Sequence, residues 1–232
     1  MLHFSTLFFL FMIYSILGWL FETVYCSLVH LSWDNRGMLN GPYCPIYGIG
    51  AILAARLCPI TMNPFLIFLI CAVGASVLEY VTSFLTEKFF HAVWWDYSYL
   101  PLNLNGRICF SVALGFGIAG IVVVRLLHPV VGHFVNALPV TVHEFFALIF
   151  MAVFAADIAL TLDALTSLNQ KLSVLEDSMN DSISQRYDAL VNRFLTSLSH
   201  SQKHIMKSFS GFQKVSYSDL ARKMKDLILK RD

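Results

Sequence analysis

Two carboxylates in apolar surroundings carry most of the chemical information in this chain. Glu22 and Glu79 each lie in the later part of a long apolar run. A charge placed there costs several kcal/mol unless it is paired. Cations of matching depth are Arg36 and Arg107. These four groups suit a polar cavity that takes a ligand. They suit equally two buried salt bridges that fix the loops, because both readings need the same contacts. Tyr47, Asp96 and Asn105 flank them and complete the candidate binding set. Exposed backbone amides beside two arginines would fit an anion such as a phosphate or a carboxylate.

The neighbourhood of these residues is written twice. Residues 39–44 read L-N-G-P-Y-C and residues 104–109 read L-N-G-R-I-C. Each follows a Trp-Asp pair, Trp33-Asp34 and Trp95-Asp96, and each precedes a glycine-rich apolar run. The matching order predicts a parallel duplication of a two-helix hairpin, with the two L-N-G corners superposing and both arginines facing one space. Backbone as irregular as N-R-G-M-L-N-G-P-Y-C-P survives near a membrane only when it is buried in protein or lines water. Trp94, Trp95, Tyr97 and Tyr99 read as an interfacial aromatic belt.

Other constellations carry no chemistry. Gly48-Ile49-Gly50 has no following G-K-[ST], and no G-x-S-x-G is present. His143-Glu144 is not followed by a second histidine at the zinc spacing, since position 147 is Ala. His200 and His204 fall four apart on a polar helix with no third ligand, so they read as solvated. Cys44 and Cys109 read as buried filler. Asp157 is expected to pair with an arginine or a helix end. The five cysteines are scattered without C-x-x-C, which argues against a disulfide framework or a structural zinc. No catalytic set, metal or cofactor is called for, and nothing indicates nucleic acid.

The elements that must position these groups can be read from composition. Of 232 residues, 57% are hydrophobic and only 13% charged, about half the charge of a soluble domain. Mean hydropathy is +0.65. The fold class is all-α: a polytopic membrane helical bundle over residues 1–165, with a cytosolic helical tail over 166–232. Five spans are expected, at about 4–31, 45–60, 64–90, 108–127 and 140–165. The second is short enough to be re-entrant, and H-P-V-V-G-H-F-V-N-A-L-P after the fourth reads as a loop. The first lacks a basic leader and a small-residue cleavage site, so it reads as retained.

Orientation is set by the basic residues. Eleven of the sixteen Lys and Arg fall in 166–232, which predicts a cytoplasmic tail and an outer N-terminus in the cell membrane. Leu165, Leu168, Leu172, Leu175 and Met179 mark a heptad seam. It resumes after a skip of four at Ile183, Tyr187, Leu190, Phe194 and Leu198, a coiled-coil stutter. A basic amphipathic helix is expected from Ser218. The tail could self-associate, make a homo-oligomer or recruit a partner.

The segments N-R-G-M-L-N-G-P-Y-C-P-I-Y-G-I-G-A and E-Y-V…W-W-D-Y-S…N-L-N-G-R-I-C-F resemble a bacterial membrane family known as ABC-transporter permease, type IV. That family is itself similar to an animal multi-span membrane family of unknown role. The resemblance covers residues 8–130, with Gly18-Trp19, Glu22, Asn35-Arg36-Gly37, Gly41-Pro42, Pro45-Ile46-Tyr47-Gly48, Glu79-Tyr80, Trp94–Tyr97 and Asn105-Gly106-Arg107 in place. It implies transport, and a separate ATPase subunit, since no ATPase is written in this chain. Two functions stay open. One is a permease-like protein that binds or moves a small, anionic substrate through a cavity on the cytoplasmic side. The other is a membrane scaffold whose coiled tail recruits a cytosolic partner.

Overall fold

The structure, a computed structural model, describes residues 4–31, 37–90, 92–180, 193–208 and 211–212. It is built almost wholly of helix. Helices α1 (Phe4–His30), α2 (Pro45–Leu57) and α3 (Pro64–Phe90) come first. Short strands β1 (Ala92–Val93), β2 (Asn103–Leu104) and β3 (Ile108–Cys109) precede α4 (Phe110–Val122), a π-turn (Val123–Leu127) and α5 (His128–Ala137). Helix α6 (Val140–Asn180), α7 (His200–Ser208) and β4 (Gly211–Phe212) close the described chain.

Among the described residues four helical stretches are long and apolar enough to cross a membrane: Phe4–Leu28, Pro64–Phe90, Phe110–Ala137 and Val140–Val174. Helix α2 has 13 residues. It rises about 20 Å, short of the roughly 30 Å hydrocarbon core. Proline sets its start and its end. Pro45 sits in its first turn, where a missing N–H costs nothing. Pro59 forces Cys58 to extended backbone, with φ −115°. Asn63 caps α3, its Oδ1 accepting Phe65 N–H at 2.8 Å.

Residues 128–137, expected as a loop, are helical instead. Pro129 has no N–H to give the preceding turn, and the π-turn just before it absorbs the lost bond and its steric clash. The helix then runs on to Leu138, which precedes Pro139 and turns extended with ψ 145°.

The chain forms two compact units. The first comprises Met1–Gly37, Gly41–Thr82 and Tyr97–Ala156; the second comprises Met38–Asn40, Ser83–Asp96 and Asp157–Asp232. In the first, Phe9, Leu10, Tyr14, Ala51, Val131 and Val135 make one buried cluster, and Cys58, Ile67, Cys71 and Val124 another. His143 is buried: its Nε2 donates to the Val135 carbonyl at 2.6 Å and its Nδ1 faces Thr6 Oγ1 at 3.3 Å. It ties the start of α6 to α5 and α1.

In the second unit the heptad face is covered by the same chain. Leu165, Leu168 and Leu172 pack with Phe194, Leu195, Leu198, Ile205 and Met206. Gln202 donates to Ser167 Oγ at 2.7 Å and accepts from Lys171 Nζ at 3.0 Å. Strands β1 and β4 pair antiparallel, Ala92 opposite Phe212. The heptad positions 183–190 and the helix expected from Ser218 lie outside the described residues.

Helices α1 and α2 approach closely because Gly48 permits it. A Cβ there would meet the Ser15 hydroxyl and stand 2.7 Å from the Phe11 carbonyl oxygen. Ser15 is itself engaged, accepting Cys44 N–H on its carbonyl at 2.9 Å. Gly74 on α3 has nothing within 4 Å of the same added atom. Gly48→Ala is therefore expected to cost about 1–3 kcal/mol by overpacking. Gly74→Ala should be neutral or stabilise by up to about 1 kcal/mol. Thermal unfolding of the two purified variants in detergent distinguishes them, and equal midpoints would contradict this contact.

Candidate functional site

The repeated corner decides where the polar groups sit. At residues 104–107 the chain makes a tight hairpin turn. Asn105 has φ +55° and Gly106 φ +68°, and Arg107 N–H returns to the Leu104 carbonyl at 3.1 Å. Two consecutive positive φ values are the type I′ pattern that Asn-Gly favours between paired strands. Strands β2 and β3 supply the pairing, Asn103 opposite Cys109 and Leu104 opposite Ile108.

The first corner is not the same object. Neither Asn40 nor Gly41 has positive φ; only Gly37, at +117°, does. Asn40 is anchored in the second unit, where its backbone N–H and its Nδ2 donate to Asp157 Oδ1 at 3.1 and 2.9 Å. Leu39 is buried, and its carbonyl accepts His204 Nε2 at 3.1 Å. The expected superposition of the two L-N-G segments therefore fails at the backbone. His204, solvated by its sequence pattern, has a backbone partner. Asp157 accepts from Asn40 and from Thr161 Oγ1 at 3.3 Å.

The hairpin holds α3 by its tip. Asn105 Nδ2 reaches the Tyr80 hydroxyl at 3.3 Å, and the Arg107 guanidinium lies over the Tyr80 ring, 5.2 Å from its centroid. Tyr97 N–H donates to the Gly106 carbonyl at 2.7 Å. That bond sets Tyr97 so that its hydroxyl donates to Glu79 Oε1 at 3.0 Å. Glu79 is buried, so this donor offsets the cost of removing a carboxylate from water.

Glu22 on α1 is served from α2. The Tyr47 hydroxyl is hydrogen-bonded to its carboxylate, and Cys44 Sγ lies 3.9 Å from its Oε2. Gly18, one turn earlier on α1, faces the Tyr47 ring, and any side chain there would strike that ring. The two carboxylates are near enough to act on one another electrostatically. Glu22, Tyr47, Glu79, Asn105 and Arg107 all fall in the first unit, with Tyr97 added. Asp96 is exposed and belongs to the second unit. Arg36 lies outside the described residues.

Tyr97, an aromatic-belt residue by sequence, turns inward to the carboxylate instead. The one sequence signal for this is Asn105-Gly106, a turn pair able to bring the loop back onto α3. Chemically the cluster offers carboxylate acceptors backed by phenol donors. It can hold a shared proton, or the amine or hydroxyl groups of a small ligand. Among the described residues no group of three or more His, Cys, Asp or Glu is disposed to hold a metal ion.

The family model described as "Putative ABC-transporter type IV" matches residues 9–162, about two thirds of the chain. No curated protein and no solved structure matches it.

Burial first, and then the negative charge of Glu79, hold the Tyr97 hydroxyl well above its usual pKa of about 10. Below pH 10 the hydroxyl is neutral in folded and unfolded chain alike. As pH rises past 10 only the unfolded chain releases the proton, so stability falls with rising pH. The phenolate absorbance difference between wild type and Tyr97→Phe is expected to emerge well above pH 10. A phenolate band near pH 10 would mean that Tyr97 is solvated.

Proposed function

The chain belongs to the Putative ABC-transporter type IV family, and from that membership we propose how it acts. It is a transporter-like membrane protein built on apolar helices. In our reading it binds or moves a small polar substrate through the cluster of Glu22, Tyr47, Glu79 and Tyr97, which opens to the cytoplasm. The observation that supports this most is the Tyr97–Glu79 bond. A buried carboxylate in an apolar helix is retained at some cost, and a loop is folded back to serve it.

Acceptor groups dominate the described cluster, so the substrate that suits it presents donors, as an amine or a polyol does. An anionic preference would need both arginines free to reach it, and the Arg107 guanidinium lies on Tyr80. The protein acts by binding and not by catalysis. In this reading a separate ATPase supplies the energy, in keeping with the family's description as an ABC transporter. The scaffold alternative would have to use a surface other than the Leu165–Leu172 face, which its own chain covers.

A panel of small amines, polyols, amino acids and organic anions, screened by thermal shift on the purified full-length protein, tests this. At least one donor-rich solute should raise the midpoint in a saturable way. Glu22→Gln and Glu79→Gln should each abolish that rise. Stabilising solutes that bind both variants unchanged would refute the assignment.

A further inference from the structure

A second polar group of residues lies apart from that cluster, on α1, α2 and α5. Tyr14, Arg56 and His128 line a cavity of about 200 Å³ together with Leu7, Leu10, Ile52 and Ala55. Arg56 is nine residues beyond Tyr47 on α2. That is a rise of about 14 Å, so the two sites are separate.

The polar part of the lining is built. Tyr14 is buried, and its hydroxyl meets His128 Nδ1 at 2.6 Å, joining α1 to α5. His128 comes directly after the π-turn. The extra residue of a π-turn rotates the downstream helix by about 100° relative to an unbroken α-helix, and such turns recur at functional sites. Among the described residues no carboxylate lines this cavity. The π-turn also carries Arg125, whose Nη2 donates to the Met62 carbonyl at 2.5 Å. Its buried Nε has no partner among the described residues. Arg56 thus lines the cavity without a described acid beside it there.

The mixed lining selects a ligand class. A cation with a phenol–imidazole pair in the lining asks for an anion, and a planar carboxylate suits a guanidinium. The aliphatic remainder of the lining asks for an apolar body. An apolar cavity of roughly 150 Å³ admits benzene, so this one has room for a ring bearing one small polar substituent. We propose that the Tyr14–Arg56–His128 cavity is a binding site for a small carboxylate with a compact apolar body, its carboxylate on Arg56 and the Tyr14–His128 pair. Such a carboxylate can come from water or from the bilayer.

Calorimetric titration of the purified full-length protein with benzoate and with octanoate tests the site, with benzyl alcohol as the uncharged control. At least one carboxylate should bind saturably. Arg56→Gln should weaken it by about tenfold or more, the scale of one charge-assisted bond. Benzyl alcohol should be weaker than benzoate by a similar factor. Ala55→Phe, which fills the space and leaves every polar group in place, should abolish binding. Preference for benzoate supports a ligand drawn from water, and preference for octanoate one drawn from the bilayer. Absence of binding by both acids, or full binding by Arg56→Gln, would overturn the proposal.

Discussion

A buried carboxylate on an apolar helix is the constraint around which the first unit is arranged. Glu79 sits on α3 with 6% of its surface exposed. Left alone there it would be destabilising by several kcal/mol. The loop after α3 removes that cost by a short chain of dependent contacts. The Asn105-Gly106 turn closes a hairpin, the hairpin grips Tyr80, Gly106 holds the Tyr97 backbone, and Tyr97 donates to Glu79. Glu22 is handled by another route, through Tyr47 and Cys44, and that route exists because Gly18 and Gly48 let α2 lie against α1.

The second unit solves the same problem with different parts. Asp157 lies within the apolar length of α6 and is 8% exposed. It accepts from Asn40, whose side chain also donates to Thr161 Oγ1 at 3.2 Å, one turn further on. In each unit an L-N-G asparagine therefore serves an acid or its neighbour. One does so by direct donation from a bend, the other by bracing a hairpin. The same three letters thus carry two different backbone conformations.

Much of the architecture was legible in the sequence. The long apolar runs gave the membrane class and the helices, and the isolated glutamates marked where polar contacts had to gather. Three things were not legible, each for a physical reason. Tyr97 lies 18 residues from Glu79, and which aromatic of Trp94–Tyr99 would turn inward depends on the backbone bond to Gly106. The sequence His128-Pro129 reads as a helix end, because a proline normally stops a helix; a π-turn lets this one continue. The repeated L-N-G suggests a repeated shape, but turn conformation is set by what flanks it, and among the described residues only the second copy has paired strands on either side.

The loop after α3 is folded back in order to serve Glu79, and a double-mutant cycle on Tyr97→Phe and Glu79→Gln tests that dependence most directly. The readout is the unfolding free energy of the four purified proteins in detergent at pH 8. Glu79→Gln is predicted to relieve part of the loss caused by Tyr97→Phe, with a coupling of about 0.5–3 kcal/mol. Losses that add without coupling would contradict it, because the two side chains would then not depend on one another.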